Sequence, residues 1–131
     1  MDKYKELLEK AKQASQRAYA PYSKFPVGAC ILYNDGREFL GCNVENASYG
    51  LSLCAERNAM SSAIVEGETS QIEAIAIYSP VQKKCLPCGA CRQWICEFAT
   101  KNSKIILEDD DEKLLILTLE EIFPYSFKFD E

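Results

Sequence analysis

The hydrophobic positions change period several times along the chain, and each change marks an element. Tyr4, Leu7, Leu8, Ala11, Ala14 and Ala18 recur at spacings of three and four among Lys, Glu and Gln. That is the period of a helix buried on one face, with Pro21 as its stop. Val27 to Tyr33 and Arg37 to Val44 then read as two strands on either side of Asn34-Asp35-Gly36. An Asp-Gly between two such runs predicts an antiparallel hairpin closed by a tight primed turn, because Gly adopts positive φ at little cost. Glu45 to Leu53 is polar and irregular. Asn43 and Glu45 therefore stand where a strand runs into a loop, a position suited to contacting a ligand.

The helical period returns from about Leu53. Ala55, Ala59, Met60, Ala63 and Ile64 share one face and Gly67 is a suitable stop, which places Cys54 and Glu56 in the first turn. Glu73 to Tyr78 is mostly apolar and predicts a strand in the middle of a sheet. After a loop from Ser79 to Pro87, helical spacing relates Cys88, Cys91, Trp94, Ile95, Phe98 and Ala99, with Asn102 as the stop. Lys104 to Leu107 reads as a strand, Glu108 to Glu112 as an acidic, solvated turn, and Leu114 to Leu117 as a last short strand. Thr118-Leu119-Glu120-Glu121 has the spacing of a capping box and starts a short helix that Pro124 limits. A hairpin followed by strands alternating with helices, with no internal repeat or linker, predicts an α/β domain around one sheet.

Composition narrows the picture. At 131 residues and 47% hydrophobic, the chain is the size of one domain with a substantial core. Its net charge of −5, with no cluster of Lys and Arg, argues against a nucleic-acid polymer as partner. The first residues are charged where a signal peptide turns apolar, and no apolar run approaches the roughly 20 residues that span a bilayer, so a soluble, cytoplasmic protein is expected. There is no histidine, which removes His-based triads, His metal ligands and a His general base together. Proton transfer near neutral pH is left to a carboxylate, a thiol or a metal-bound water. The seven cysteines are odd in number and lack an export signal, which favours thiols or metal ligands over disulfides.

The chemistry concentrates in two stretches, Leu53-Cys54-Ala55-Glu56-Arg57 and Pro87-Cys88-Gly89-Ala90-Cys91-Arg92-Gln93. Cys54, Cys88 and Cys91 supply three thiolates, one fewer than a closed structural zinc site uses. Three protein ligands and an open position are the layout of a catalytic zinc, whose bound water is acidified. Glu56, two residues after Cys54, can stand beside that water without binding the metal. Two helix N-termini offer N–H groups and positive dipole ends to the thiolates, and Arg57 can donate to the sulfurs from the same helical face as Cys54. A fourth thiolate from Cys85 or Cys42 would instead close the site as a structural one. Cys30, Cys42 and Cys96 otherwise read as small buried hydrophobes, and Asn43 and Glu45 alone would pass for turn residues.

Cys54-Ala55-Glu56 together with Pro87-Cys88-Gly89-Ala90-Cys91-Arg92-Gln93 resembles the zinc signature of cytidine deaminases, in the small homotetrameric type with three cysteine ligands. Tyr19 to Ala29 resembles the family's entry to its first strand, and Gly41 to Gly50 its sugar-binding segment. The resemblance implies a three-layer α-β-α sandwich around one mixed, roughly five-stranded sheet, with residues 1–131 forming a single catalytic domain. It implies one zinc ion per chain on Cys54, Cys88 and Cys91, with Glu56 shuttling protons. Asn43 and Glu45 would hydrogen-bond the ribose 3′-hydroxyl, Phe25 would pack on the pyrimidine, and the backbone of Ala55 would help hold the base. Ala47 and Tyr49 would lie near the sugar's 5′ end, Tyr49 reaching in from a neighbouring subunit, and Phe127 would cover the base of an adjacent subunit's site.

The family's mechanism would then have Glu56 carry protons from the metal-activated water to N3 and to the 4-amino group, converting cytidine or deoxycytidine to the uridine product and ammonia in pyrimidine salvage. Two other readings stay open. A deaminase of another aminopyrimidine nucleoside, such as a nucleoside antibiotic, would share the metal motif, and the Asn43/Glu45 pair is the discriminator. A nucleotide would call for basic residues at the 5′ end, and Ala47 to Leu53 contains no Lys or Arg. A noncatalytic module stabilised by zinc would make no use of Glu56.

Overall fold

Alternation along the central strands sends large side chains to both faces of one sheet, and each face needs a helical cover. The structure, a computed structural model, describes residues 2–128. Its elements are α1 (Asp2–Ser15), β1 (Gly28–Tyr33), β2 (Glu38–Cys42), α2 (Ala55–Val65), β3 (Ile72–Tyr78), α3 (Gly89–Phe98), β4 (Ala99–Glu108), β5 (Leu114–Thr118) and α4 (Leu119–Ile122), with a 3-10 turn at Tyr49–Leu51. The sheet order is β2-β1-β3-β4-β5, so β3 lies in the middle as its apolar run predicts. It pairs antiparallel with β1 and parallel with β4, and the two outer pairings are antiparallel. The sheet is therefore mixed and five-stranded.

Cys30, Leu32, Ala74, Ala76 and Ile106 face α1, where Leu7, Leu8 and Ala11 cover them. Ile31, Tyr33, Ile75, Ile77, Ile105 and Leu107 face the other way, against Ala59, Met60 and Ala63 of α2, Ile95 of α3 and Leu119 of α4. This is the expected α-β-α sandwich. The helices sit close because two strand positions lack a side chain. A Cβ on Gly28 would stand 2.0 Å from the carbonyl oxygen of Ala11, and one on Gly41 would stand 2.3 Å from that of Ala55 and 2.6 Å from the amide nitrogen of Ala59.

Glu108, expected in the solvated acidic turn, is instead the buried last residue of β4, and the structure departs from the sequence expectation at four further places. α1 ends at Ser15, not near Pro21; the Ser15 hydroxyl bonds back to the Lys12 carbonyl, and the next three amides bond three residues back as the chain unwinds. The hairpin loop has three residues. Tyr33 and Arg37 close it, and only Gly36 has positive φ (93°), the geometry of a type I turn followed by a glycine bulge rather than a two-residue primed turn. Ile64 is exposed while its neighbour Ala63 is buried. α3 stops at Phe98 because Ala99 already pairs with Ile72, so β4 starts five residues before the predicted Lys104 and Asn102 lies inside it. The capping box at Thr118 and Glu121 forms as its spacing predicts.

Candidate active site

Cys54 is the N-cap of α2 and Cys88 the N-cap of α3. Both have extended backbone angles, which aim the side chain across the first turn of the helix that follows. The Cys88 sulfur accepts the amide of Cys91 at 3.4 Å, an N-cap bond with a thiol in place of a hydroxyl. The parallel β3-α3-β4 unit puts the start of α3 beyond the carboxyl end of β3, where open sheets with parallel strands commonly hold ligands. Gly41 seats the first turns of α2 against β2, which brings the second N-terminus to the same place.

Among the described residues, Cys54, Cys88 and Cys91 form a cluster whose sulfurs lie within 4.8 Å of one another, with 4.0 Å between Cys54 and Cys88. Thiolates placed tetrahedrally at about 2.3 Å from zinc stand about 3.8 Å apart, so the cluster fits that ion. Cys85 and Cys42 lie outside the cluster, which leaves three sulfurs and one open direction. All seven cysteines are free thiols.

Charge around the cluster is arranged unevenly. The Cys54 thiol is pushed down to about 5, by the Cys91 thiol that hydrogen-bonds it and then by the Arg57 guanidinium, whose Nη2 donates to its sulfur at 3.3 Å. Cys91 is shifted upward, as the donor to Cys54 and as a buried group. Nε of Arg57 is buried and has no partner. Glu56 is 4% exposed, and burial pushes its carboxyl up to about 7 despite the opposing effect of its backbone hydrogen bond. A carboxyl poised near neutrality can both take and give a proton at ordinary pH.

A cavity of about 430 Å³ opens beside the thiols. Phe25, Asn43, Glu45, Ala55 and Glu56 all line it, so the structure brings together most of the predicted site residues. Asn43 serves the fold as well: Oδ1 accepts the Val27 amide at 2.8 Å and Nδ2 donates to the Phe25 carbonyl at 2.9 Å, fixing the entry to β1. Glu45 accepts the amides of Tyr22 (3.0 Å) and Ser23 (3.1 Å) and the Ser23 hydroxyl; that hydroxyl is the main reason its carboxyl stays below the usual range. Ala47, Tyr49 and Phe127 do not line this cavity. Tyr49 is 77% and Phe127 69% exposed, and Phe127 is tied down by its carbonyl, which accepts from Gln93 Nε2 at 3.0 Å.

Sequence reasoning missed Ser23, Val27, Ser52, Leu53, Gln82 and Leu86 as cavity residues, and raised Cys85 only as an alternative thiolate ligand. Ser23 carried a signal, standing two residues before Phe25 at the spacing of a hydroxyl-capped turn, and the Phe25 amide does bond its oxygen at 3.0 Å. Gln82, Cys85 and Leu86 belong to an irregular loop whose path no periodicity describes. Arg92 bonds the carbonyls of Pro87 and Ile122 at 2.7 and 2.6 Å.

Residues 1–107 match the family described as the cytidine and deoxycytidylate deaminase zinc-binding region. A cytidine deaminase of Halalkalibacterium halodurans is 40% identical over 125 residues, which are 95% of this chain and 94% of that protein. The crystal structure of cytidine deaminase from Burkholderia pseudomallei superposes with a TM-score of 0.86 at 42% identity, covering 94% of this chain and 98% of that one. That of cytidine deaminase from Mycobacterium tuberculosis gives 0.83 at 35% identity, covering 96% and 98%. With the three-thiol cluster, the raised Glu56 and these likenesses together, the chain belongs to the cytidine and deoxycytidylate deaminase family of zinc-binding domains.

Proposed function

We propose that this chain is a zinc-dependent hydrolytic deaminase of cytidine and 2′-deoxycytidine, its residues 1–131 acting as one catalytic domain in pyrimidine salvage. The observation that carries the reading is a buried carboxyl, raised to about 7, in a cavity of nucleoside size beside three thiols spaced for zinc. Cys54, Cys88 and Cys91 would hold the ion, which when bound supplies an acidified water. Glu56 would receive the water's two protons in turn, passing the first to N3 and the second, given up by the oxygen newly bonded to C4, to the departing amino group, so the products are a uridine and ammonia. Arg57 offsets the charge of the thiolates. Phe25 offers a face to the pyrimidine, the Ala55 backbone holds the base, and Asn43 and Glu45, fixed by the backbone around them, receive the ribose 3′-hydroxyl.

A nucleoside suits the cavity better than a nucleotide. Its acidic groups are Glu45 and Glu56, and among the described residues lining it none is Lys or Arg, so a 5′-phosphate would meet negative charge without a cationic partner. Tyr49 and Phe127 are exposed, and neither they nor Ala47 line their own cavity. This supports a homotetramer in which they complete the site of a neighbouring copy. Reduced thiols are needed to bind the ion, which suits the cytoplasm; no helix among the described residues is long and apolar enough to cross a membrane.

Ammonia release from cytidine, deoxycytidine, cytidine 5′-monophosphate and a set of aminopyrimidine nucleoside antibiotics tests the reading. Turnover of the first two and little of the monophosphate is expected. Preferred turnover of an antibiotic would move the assignment to that class, and release from none of them would leave a zinc-stabilised module.

A further inference from the structure

The loop from Ser79 to Pro87 joins β3 to the helix that carries Cys88 and Cys91, and it lends Gln82, Cys85 and Leu86 to the cavity wall. Buried Pro87 and half-buried Cys85, which packs on the core, fix its far end, and its own side chains do less to fix Gln82 to Lys84. Its internal bonds are two short ones, Val81 amide to Ser79 Oγ at 3.2 Å and Leu86 amide to the Lys84 carbonyl at 2.7 Å. Lys84 also sits at φ 51°, a left-handed conformation that is unfavourable for a residue with a Cβ and persists only where neighbouring contacts impose it.

Glu108, the last residue of β4, supplies contacts to both Lys83 and Lys84, beside the 3.4 Å pair of Lys84 Nζ with Asp110 and the Arg92 bond to the Pro87 carbonyl at the loop's far end. It is 6% exposed, although its position at the head of the acidic run suggests a solvated turn. Its carbonyl accepts the Lys84 amide at 2.9 Å, and its carboxylate receives Lys83 Nζ at 2.6 Å and Lys12 Nζ of α1 at 2.9 Å. Lys12 lies 3.4 Å from Glu9 and over the Tyr78 ring as well, so it has partners beyond Glu108. Burial would raise the Glu108 carboxyl, yet the hydrogen bonds and charges of Lys83 and Lys12 outweigh it and hold the group below its ordinary value. Backbone and side chain of one residue thus grip two successive residues of the loop, directly between the positions that face the cavity.

We propose that Glu108 is a positioning residue for the deaminase reaction: through Lys83 and the Lys84 amide it fixes the 82–86 segment as a wall of the substrate cavity. The Lys12 arm anchors the same carboxylate to α1 and serves stability. The proposal rests on the deaminase reading for its kinetic consequence, but the grip on the loop does not.

The test compares zinc-loaded wild type with Glu108→Gln, Lys83→Met, Lys83→Arg and Lys12→Met, reading cytidine kinetics, zinc per chain, and amide hydrogen exchange at residues 82–86. Glu108→Gln and Lys83→Met should speed exchange at Lys84 and Leu86 and lower kcat/KM by about tenfold, mostly through KM, with zinc retained. Lys83→Arg should restore both, and Lys12→Met should lower the melting temperature while leaving KM and loop exchange as in wild type. The proposal is overturned if Lys83→Met leaves exchange and KM unchanged, or if Lys12→Met alters them as much, since the cluster would then be a general brace. Should Glu108→Gln fail to fold, the Lys83 variants decide. A wild type inactive on cytidine would remove the deaminase reading, and the exchange rates alone would then decide whether Glu108 holds the loop.

Discussion

Glu56 and Arg57 are adjacent in sequence and do opposite electrostatic work. The carboxyl is buried where ionisation is costly, and the guanidinium reaches back one helical turn to a sulfur. Removing the guanidinium leaves three thiolates with only the helix ends to offset them. Arg57→Met should therefore weaken zinc binding by about 10- to 100-fold, measured by competition with a chromogenic chelator; an unchanged affinity would place Arg57 outside the metal site. The three thiols, Glu56 and Arg57 were readable from sequence because each is positioned by its own helix start, within a turn or less of a ligand. The Asn43 clamp on Phe25 and Val27 was not, since it joins residues 16 and 18 positions apart through a side chain that looks like any turn residue. Neither was the role of Cys85. Its loop passes the cavity without joining the cluster, and burial holds its thiol up at about 11, far from thiolate character.

At the level of elements, the site depends on how closely α2 sits on the hairpin. Gly41→Ala would drive a methyl into the backbone at Ala55 and Ala59, and backbone cannot swing aside as a side chain can. The expected cost is about 3 kcal/mol or more, seen in chemical denaturation, together with weaker zinc binding because the displaced turn begins at Cys54. A variant as stable as wild type would contradict the close seating. Element types were legible wherever hydrophobic period was strong, as in α2 and β3. Boundaries failed where tertiary partners overrode local preference: Ala99 has good helix propensity but is drawn into β4 by pairing with Ile72. Ala18 continues the helical spacing of α1 but stands beyond the end that Ser15 makes.

For the molecule as a whole, α1 is held to the sheet by carboxylates with lowered pKa as well as by apolar packing. Glu73 meets Lys3 Nζ at 2.6 Å and the Tyr4 hydroxyl at 3.1 Å, and Lys3 is the first cause of its lowered pKa; Glu108 meets Lys12 and Lys83. A carboxyl lowered in the folded state binds fewer protons there than in the unfolded chain. Its stabilisation is present above the unfolded value of 4.5 and is lost as pH falls through the folded value. The melting temperature of metal-free protein should therefore drop as pH falls below about 4.5, and Glu73→Gln should flatten part of that slope. A melting temperature that holds or rises in that window would deny these pairs a stabilising role.

The central claim joins zinc on three cysteines to a proton carrier at Glu56, and one paired measurement tests both. Wild type and Glu56→Gln would each be analysed for zinc and then followed by the ultraviolet absorbance of cytidine. The account predicts about one zinc per chain in both proteins and a rate at least about 100-fold lower in the variant. Equal rates at equal zinc content would contradict it, because the carboxyl would then carry no proton that the reaction needs.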